Sequence, residues 1–311
     1  MRKYAVIAII IALSMIICPF AATGKKKAVT NKTVSAVSVI SAESDGEFIN
    51  VMSYDSGVRR LGMREYLIGC VAAEMPAEYH PEALKAQAAA VYTYAIRTME
   101  SGAGTADITD DTSRHQGYLD ENQRKEKWGN SFEKNEKKIS QAVDAVYGKL
   151  ITYAGEAALT VYHSMSAGAT QAACDIWGGE YPYLVCVASP GDKLSPDYCE
   201  TVTFTQSEIE NLLSDDGEGV GNVEYTEGGY VSEAVICGVR LEGAEIREKL
   251  SLRSNCFDVT CKDGEYVFTV RGHGHGVGMS QYGADYMARQ GFEWQEIIAH
   301  YYPDTVITES K

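Results

Sequence analysis

The spacing of apolar residues changes along the chain, and each change marks an element. Tyr4 to Thr23 (YAVIAIIIALSMIICPFAAT) has no charge and no polar face, the pattern of a membrane span, and Arg2 and Lys3 precede it. Residues 47–61 predict two short strands around Asp55-Ser56-Gly57. Residues 63–73 predict a helix running into Glu74, which Met75-Pro76 stops because a residue before proline disfavours helical geometry. Pro81 opens an alanine-rich helix over 82–100, ended by Gly102; Ala86, Ala89 and Ala90 allow close packing and mark it as the central core helix. Residues 101–131 are polar and read as irregular. An exposed helix is expected at 133–147, then strands near 149–153 and 157–164, a loop over 165–182 and a strand at 183–188 before Ser189-Pro190-Gly191. Thr205-Gln206-Ser207-Glu208 is a capping box opening a short helix, and residues 214–229 read as an acidic, glycine-rich surface insertion. Strand 230–240, helix 243–250, strands 256–261 and 265–271, and helices 280–290 and 293–301 complete the pattern.

No repeat period and no regular βαβ alternation is present. The expected fold class is therefore α+β, with short strands and helices around the alanine-rich helix, behind an N-terminal membrane anchor. The boundaries follow: anchor with flanking lysines over 1–27, tether over 28–45, folded domain over 46–305 with room for two lobes, and a tail at 306–311.

Composition narrows the function. At 311 residues, 45% apolar and 23% charged, the chain is neither disordered nor fibrous. Net charge is −15, and five of the 28 basic residues but none of the 43 acidic ones precede residue 28, so the remainder carries −20. That balance repels nucleic acid. Lys25, Lys26 and Lys27 follow the apolar span and oppose the positive-inside rule, yet a long domain translocates largely regardless of charge, so the C-terminal part is expected outside. Seven of the eight cysteines lie beyond the anchor, none in a CxxC spacing, which supports neither a zinc ribbon nor a thioredoxin-like redox pair. Cys256 and Cys261 flank a short strand, and a bridge between them is one pairing the spacing allows.

Three segments hold residues with chemical potential. Gly272-His273-Gly274-His275-Gly276-Val277-Gly278-Met279-Ser280-Gln281-Tyr282-Gly283-Ala284 follows a strand and enters a helix. Its glycines let the backbone bend tightly and approach a ligand, its histidines at i, i+2 suit a metal, and a sterically required loop explains it equally. Glu74 sits among Ile68, Val71, Ala72, Ala73 and Met75. Desolvation there would raise its pKa toward that of a general acid; a capping glutamate is the other interpretation. In Tyr162-His163-Ser164-Met165-Ser166-Ala167-Gly168, adjacent strand residues face opposite ways, so His163 cannot readily activate Ser164, and no GxSxG elbow occurs.

Together, Val71-Ala72-Ala73-Glu74-Met75-Pro76, Ala83-Leu84-Lys85-Ala86-Gln87-Ala88, Tyr162-His163-Ser164, Asp175-Ile176-Trp177-Gly178-Gly179, Pro182-Tyr183-Leu184 and the glycine-histidine loop resemble the stage II sporulation protein D family, in order, over about residues 45–305. The resemblance implies a membrane-anchored peptidoglycan lytic transglycosylase without a cofactor, exported to the septal space of the sporulating cell during engulfment. It implies partners too: an amidase, stage II sporulation protein P, which strips stem peptides first, and a membrane protein, stage II sporulation protein M. The family's catalytic glutamate corresponds to Glu74. Substrate contacts are expected from Tyr162, Ser164, Trp177, His273, His275, Ser280, Gln281 and Tyr282, with Lys85 as the cation for lactyl carboxylates. Two positions depart from the family. Tyr92 stands where arginine is common, and Asp110-Asp111-Thr112-Ser113-Arg114-His115-Gln116 has no cysteine, so no zinc is expected. The rival functions are a metal-dependent amidase built on His163, His273 and His275, a non-catalytic glycan-binding module, and a septal scaffold.

Overall fold

A computed structural model of the chain describes residues 47–53, 57–102, 104, 106–213 and 217–310. The expected anchor and tether lie outside the described residues. Among those described, no helix is long and apolar enough to cross a membrane.

The chain begins with the hairpin β1 (Phe48–Ser53) and β2 (Gly57–Gly62), which leads into α1 (Met63–Glu74). Next comes α2 (Pro81–Ser101), the organising helix. Pro81 supplies a fixed φ at its first turn, the His80 ring accepts from the Glu82 N–H at 3.3 Å, and Gly102 ends it in the left-handed region at φ 63°. Ala83, Ala86, Ala88, Ala89 and Ala90 are fully buried, so neighbours approach the α2 backbone closely. One neighbour is tied on by Thr93, whose hydroxyl donates to the Ala89 carbonyl (2.8 Å) and accepts from the Ile151 N–H (2.9 Å).

The segment expected to be irregular contains β3 (Ile108–Thr109), parallel to β1, and a helix, α3 (Glu121–Trp128). The chain continues through α4 (Phe132–Val146), β4 (Lys149–Tyr153), β5 (Glu156–Ala157) and β6 (Tyr162–His163). Rather than lying exposed, α4 buries Ile139, Ala142, Val143 and Val146 against α1 and α2. A single short helix, α5 (Cys174–Trp177), interrupts the next loop. Residues 183–188 form no strand; one isolated bridge, Ala169 to Ala188, replaces it.

A second lobe is inserted here: β7 (Cys199–Thr205), α6 (Gln206–Leu213), β8 (Val220–Tyr225), β9 (Val231–Ile236), β10 (Val239–Glu242), α7 (Gly243–Lys249), β11 (Phe257–Lys262) and β12 (Glu265–Arg271). Its two sheets, ordered β10-β9-β8 and β11-β12-β7, enclose a core of their own around Ile209, Val231, Ile236, Phe257, Tyr266 and Phe268. The expected strand at 230–240 is a hairpin, and the acidic segment before it contributes β8 as an edge strand. The expected capping box is present, with Glu208 accepting from the Thr205 N–H at 2.8 Å. Entry and exit are adjacent: Cys199 pairs with Arg271, and the Gly272 N–H donates to the Tyr198 carbonyl at 2.9 Å.

The chain then returns to the first core through β13 (Met279–Ser280), α8 (Gln281–Arg289), α9 (Trp294–Tyr301) and β14 (Val306–Glu309). β13 pairs in parallel with β6, and β14 lies antiparallel to β4. The α+β class is thus observed, with the alanine-rich helix central. Cys256 and Cys261 are not bridged, and the Cys256 thiol donates to the Gly229 carbonyl at 3.1 Å.

Candidate active site

Glu74 is the last residue of α1. The residue after it is extended (Met75, φ −126°, ψ 137°), as a pre-proline residue must be, so the chain turns away and leaves the carboxyl at the helix end. Free helix carbonyls there disfavour a negative charge. Burial among apolar neighbours acts the same way and holds the Glu74 carboxyl above the usual carboxylate range. Two groups oppose it. The Gly117 N–H donates to Oε1 at 2.6 Å, and the Lys127 ammonium lies near enough to favour the anion. Lys127 is held by its own hydrogen bond, to the Ala72 carbonyl at 2.7 Å. With Oε1 engaged by an N–H, the acidic proton belongs on Oε2.

Gly117 stands where space is tight. A Cβ there would meet Glu74 Oε1 at 3.1 Å, Ala73 Cβ at 3.3 Å and Thr112 Cγ2 at 3.3 Å. Beside it, the Tyr162 hydroxyl donates to Gln116 Oε1 at 3.0 Å, and Gln116 Nε2 donates to the Tyr66 hydroxyl at 3.2 Å. Tyr162 keeps its proton because it is buried and because the Glu74 charge lies nearby.

His163, the next residue on β6, faces the other way, toward the glycine-histidine loop. Its Nδ1 lies 3.1 Å from the Val277 carbonyl, and its buried Nε2 has no partner. The His163 and His275 rings are 5.7 Å apart, and His275 packs at 5.3 Å against Trp177. His275 Nδ1 accepts from the Val277 N–H at 3.1 Å, so its proton is assigned to Nε2, which bonds to the Tyr162 backbone. Burial pushes His163 down to about 3 and His275 down to about 4; His273 is lowered by the same cause. His163 and His275 are therefore neutral at pH 7. The loop's glycines serve this packing. Gly278 has φ 72°, and a Cβ on it would lie 2.1 Å from the Val161 carbonyl oxygen; at Gly274 (φ 111°) it would meet the His163 Cβ at 2.8 Å.

Where α7 of the inserted lobe faces α5 and the loop, a cavity of about 650 Å³ opens. Trp177, His275, Ser113, Arg247, Ser251 and Asn255 are among the residues that line it. Ser113 and Gly117 belong to one short segment, so the cavity lies within roughly 14 Å of the Glu74 hydrogen bond, measured along four extended residues.

The expected site residues therefore divide. Glu74 and Tyr162 come together around Gly117 and Gln116. Trp177 and His275 line the cavity, and His273 is bridged through its backbone to Met165. Ser164 is exposed, its carbonyl accepting from the Tyr282 N–H at 3.0 Å, and Tyr282 meets Tyr79 edge-on at 6.4 Å. Three others are placed elsewhere. Ser280 is buried, donates to Asp192 at 2.8 Å and caps α8. Gln281 is buried and donates to Gln87 at 3.4 Å, locking α8 to α2. Lys85 is ion-paired with Glu82 at 2.6 Å; the cation beside Glu74 is Lys127. Tyr92 is also structural, donating to Glu47 at 2.8 Å and stacking on Tyr147. Sequence alone passed over Gly117, Lys127 and Arg247, which only tertiary folding brings to the site.

Among the described residues, no group of three His, Cys, Asp or Glu side chains is arranged to hold a metal ion. The histidine donors explain this: both ring nitrogens of His275 and Nδ1 of His163 already face backbone groups.

The family model SpoIID, stage II sporulation protein, matches residues 54–153. Stage II sporulation protein D of Bacillus amyloliquefaciens is 42% identical over 81% of this chain and 76% of its own length. The protein of the same name from Bacillus subtilis strain 168 is 37% identical over 97% of this chain and 93% of its own. A more distant relative, 25% identical over 78% of this chain and 40% of its own length, is the amidase enhancer of that strain. With two relatives this similar over most of its length, the chain belongs to the stage II sporulation protein D family of sporulation proteins.

Proposed function

We propose that the protein is a lytic transglycosylase that cleaves stem-peptide-free peptidoglycan between N-acetylmuramic acid and N-acetylglucosamine, leaving 1,6-anhydro ends. One observation carries the proposal: the carboxyl of Glu74, its pKa raised by burial, is oriented by the Gly117 N–H and lies near the Lys127 ammonium. The Glu74 proton passes from Oε2 to the departing glycosidic oxygen. Lys127 favours the carboxylate so formed. That carboxylate then takes the proton of the muramic C6 hydroxyl as its oxygen bonds to C1, which restores the acid. Because the nucleophile is intramolecular, high effective molarity replaces the second carboxylate that a hydrolase needs. The partners belonging to this proposal are stage II sporulation proteins P and M, and the site belongs to the exported side of a membrane anchored by residues 4–23.

The test uses the full chain in detergent with peptidoglycan, before and after amidase treatment, and mass spectrometry of the soluble products. Anhydro-ended fragments from stripped glycan, absent with Glu74→Gln, are expected. Reducing ends would mean hydrolysis and a different catalytic set. Loss of product on adding EDTA would favour the metal amidase. Glycan binding without product would favour a binding module.

A further inference from the structure

The cavity between the lobes is lined by one cation, Arg247. Arg247, on α7, is half-buried, and its Nε donates to the Arg253 carbonyl at 3.2 Å. Among the described residues no carboxylate lies within ion-pairing distance of it, whereas the neighbouring Arg253 is paired with Glu200 at 2.9 Å. Desolvation lowers the Arg247 pKa, and nearby Glu248 offsets this only through space. A half-buried guanidinium of this kind gains from an incoming anion, and its fork matches a carboxylate. In a chain of net charge −15 this is an unusual charge to leave open. His275, which also lines the cavity, does not compete for the anion, because it is neutral. The same cavity is lined by Trp177, 45% exposed and braced by His275 at 5.3 Å, a face on which a sugar ring can lie. The remaining charge on the lining is Glu248, exposed to solvent.

We infer that this cavity is a subsite for a carboxylate-bearing sugar of the glycan, in which Arg247 pairs with the carboxylate and Trp177 stacks on the ring. The inference rests on the proposed glycan substrate and makes Arg247, rather than Lys85, the residue that reads the substrate's charge. It places carboxylate recognition on the inserted lobe and Glu74 on the main one.

Binding is measured with the full-length Glu74→Gln protein, so that no turnover intervenes. The ligands are stem-free glycan, the same glycan with its carboxylates converted to methylamides, glycan bearing stem peptides, and chitin oligomers, which lack the lactyl group. A charge-assisted contact should make stem-free glycan bind roughly ten- to a hundredfold tighter than its methylamide. Adding Arg247→Gln should bring that ratio close to one, with Arg247→Lys in between and thermal unfolding reporting that the variants are folded. Salt should shrink the ratio in the parent and leave it flat in the Gln variant. Tightest binding to stem-bearing glycan would place the recognised carboxylate on the peptide and overturn the assignment to the sugar. A ratio of one in the parent, or one that survives Arg247→Gln, overturns the subsite while the proposed function stands. If the parent binds none of the four ligands, both fail together. Should Arg247→Gln not fold, Glu248→Gln gives the answer: it should tighten carboxylated glycan and not the methylamide, and no change would overturn the inference.

Discussion

Whether Glu74 carries a proton depends on opposing effects within a few ångströms. Burial and the C-terminal helix end favour the acid; the Gly117 N–H and Lys127 favour the carboxylate. The sequence shows the first pair, because Val71, Ala72, Ala73 and Met75 surround Glu74 and Pro76 ends the helix. It hides the second, because Gly117 is 43 residues away and reaches the site only through the fold. Replacing Glu74 with Gln should cost at least about 10²–10⁴-fold in product formation, as expected for loss of a general acid–base, measured as anhydro ends released. Stability should move the other way. A carboxyl whose folded pKa is raised loses stability as pH climbs from the unfolded value, about 4.3, through the folded one. Above that window Glu74→Gln should therefore unfold at a higher temperature than the parent, and below it the two should converge. An equal gain at every pH would assign the effect to packing. Gly117→Ala tests the geometry separately. Its Cβ would crowd Glu74 Oε1 at 3.1 Å, so turnover should fall far more than the roughly 1–3 kcal/mol of stability that overpacking costs. Turnover at the parent level would mean that the Gly117 hydrogen bond does not orient the acid.

Elements with an apolar stripe were legible in the sequence; those built on charge were not. The alanine-rich α2 and the strands β11 and β12 follow the hydrophobic pattern closely. α3 did not show itself because its one buried side chain is an arginine. Arg124 is fully buried; it binds both oxygens of Glu136 at 2.9 and 2.8 Å, Glu65 at 3.0 Å and the Leu119 carbonyl at 2.8 Å. It therefore ties α3 to α1 and α4, next to the turn that carries Gln116 and Gly117. α4 was misjudged as exposed for a related reason, since its lysines masked the Ile139, Val143 and Val146 face. Arg124→Met should destabilise the protein by about 3 kcal/mol in urea denaturation, the low end for breaking a buried pair because both glutamates keep some water. A change under about 1 kcal/mol would mean that apolar packing alone holds α3 in place.

At the scale of the molecule, two cores meet at the glycine-histidine loop. Composition showed neither the insertion of the second lobe nor the cavity at its junction, because both depend on the adjacency of Cys199 and Arg271 across a long stretch of chain. In the sequence the loop's histidines fitted a metal site, a ligand-approaching loop and a sterically required loop equally; the fold uses His275 as a neutral hydrogen-bonding spacer between Trp177, Val277 and Tyr162. Their burial makes the junction acid-sensitive in a definite direction. Unfolded histidines take up protons near pH 6.5, whereas His163 and His275 resist until about 3 and about 4. Between those limits the unfolded state binds more protons, so stability must fall as pH falls. Protonating His275 at Nδ1 would also remove the acceptor of the Val277 N–H, loosening the loop where both lobes touch the cavity. The urea midpoint should therefore drop between pH 7 and pH 4.5, and His275→Asn, whose side-chain oxygen can still accept from Val277, should flatten that drop. A drop that keeps its full slope in this variant would locate the acid sensitivity outside the loop.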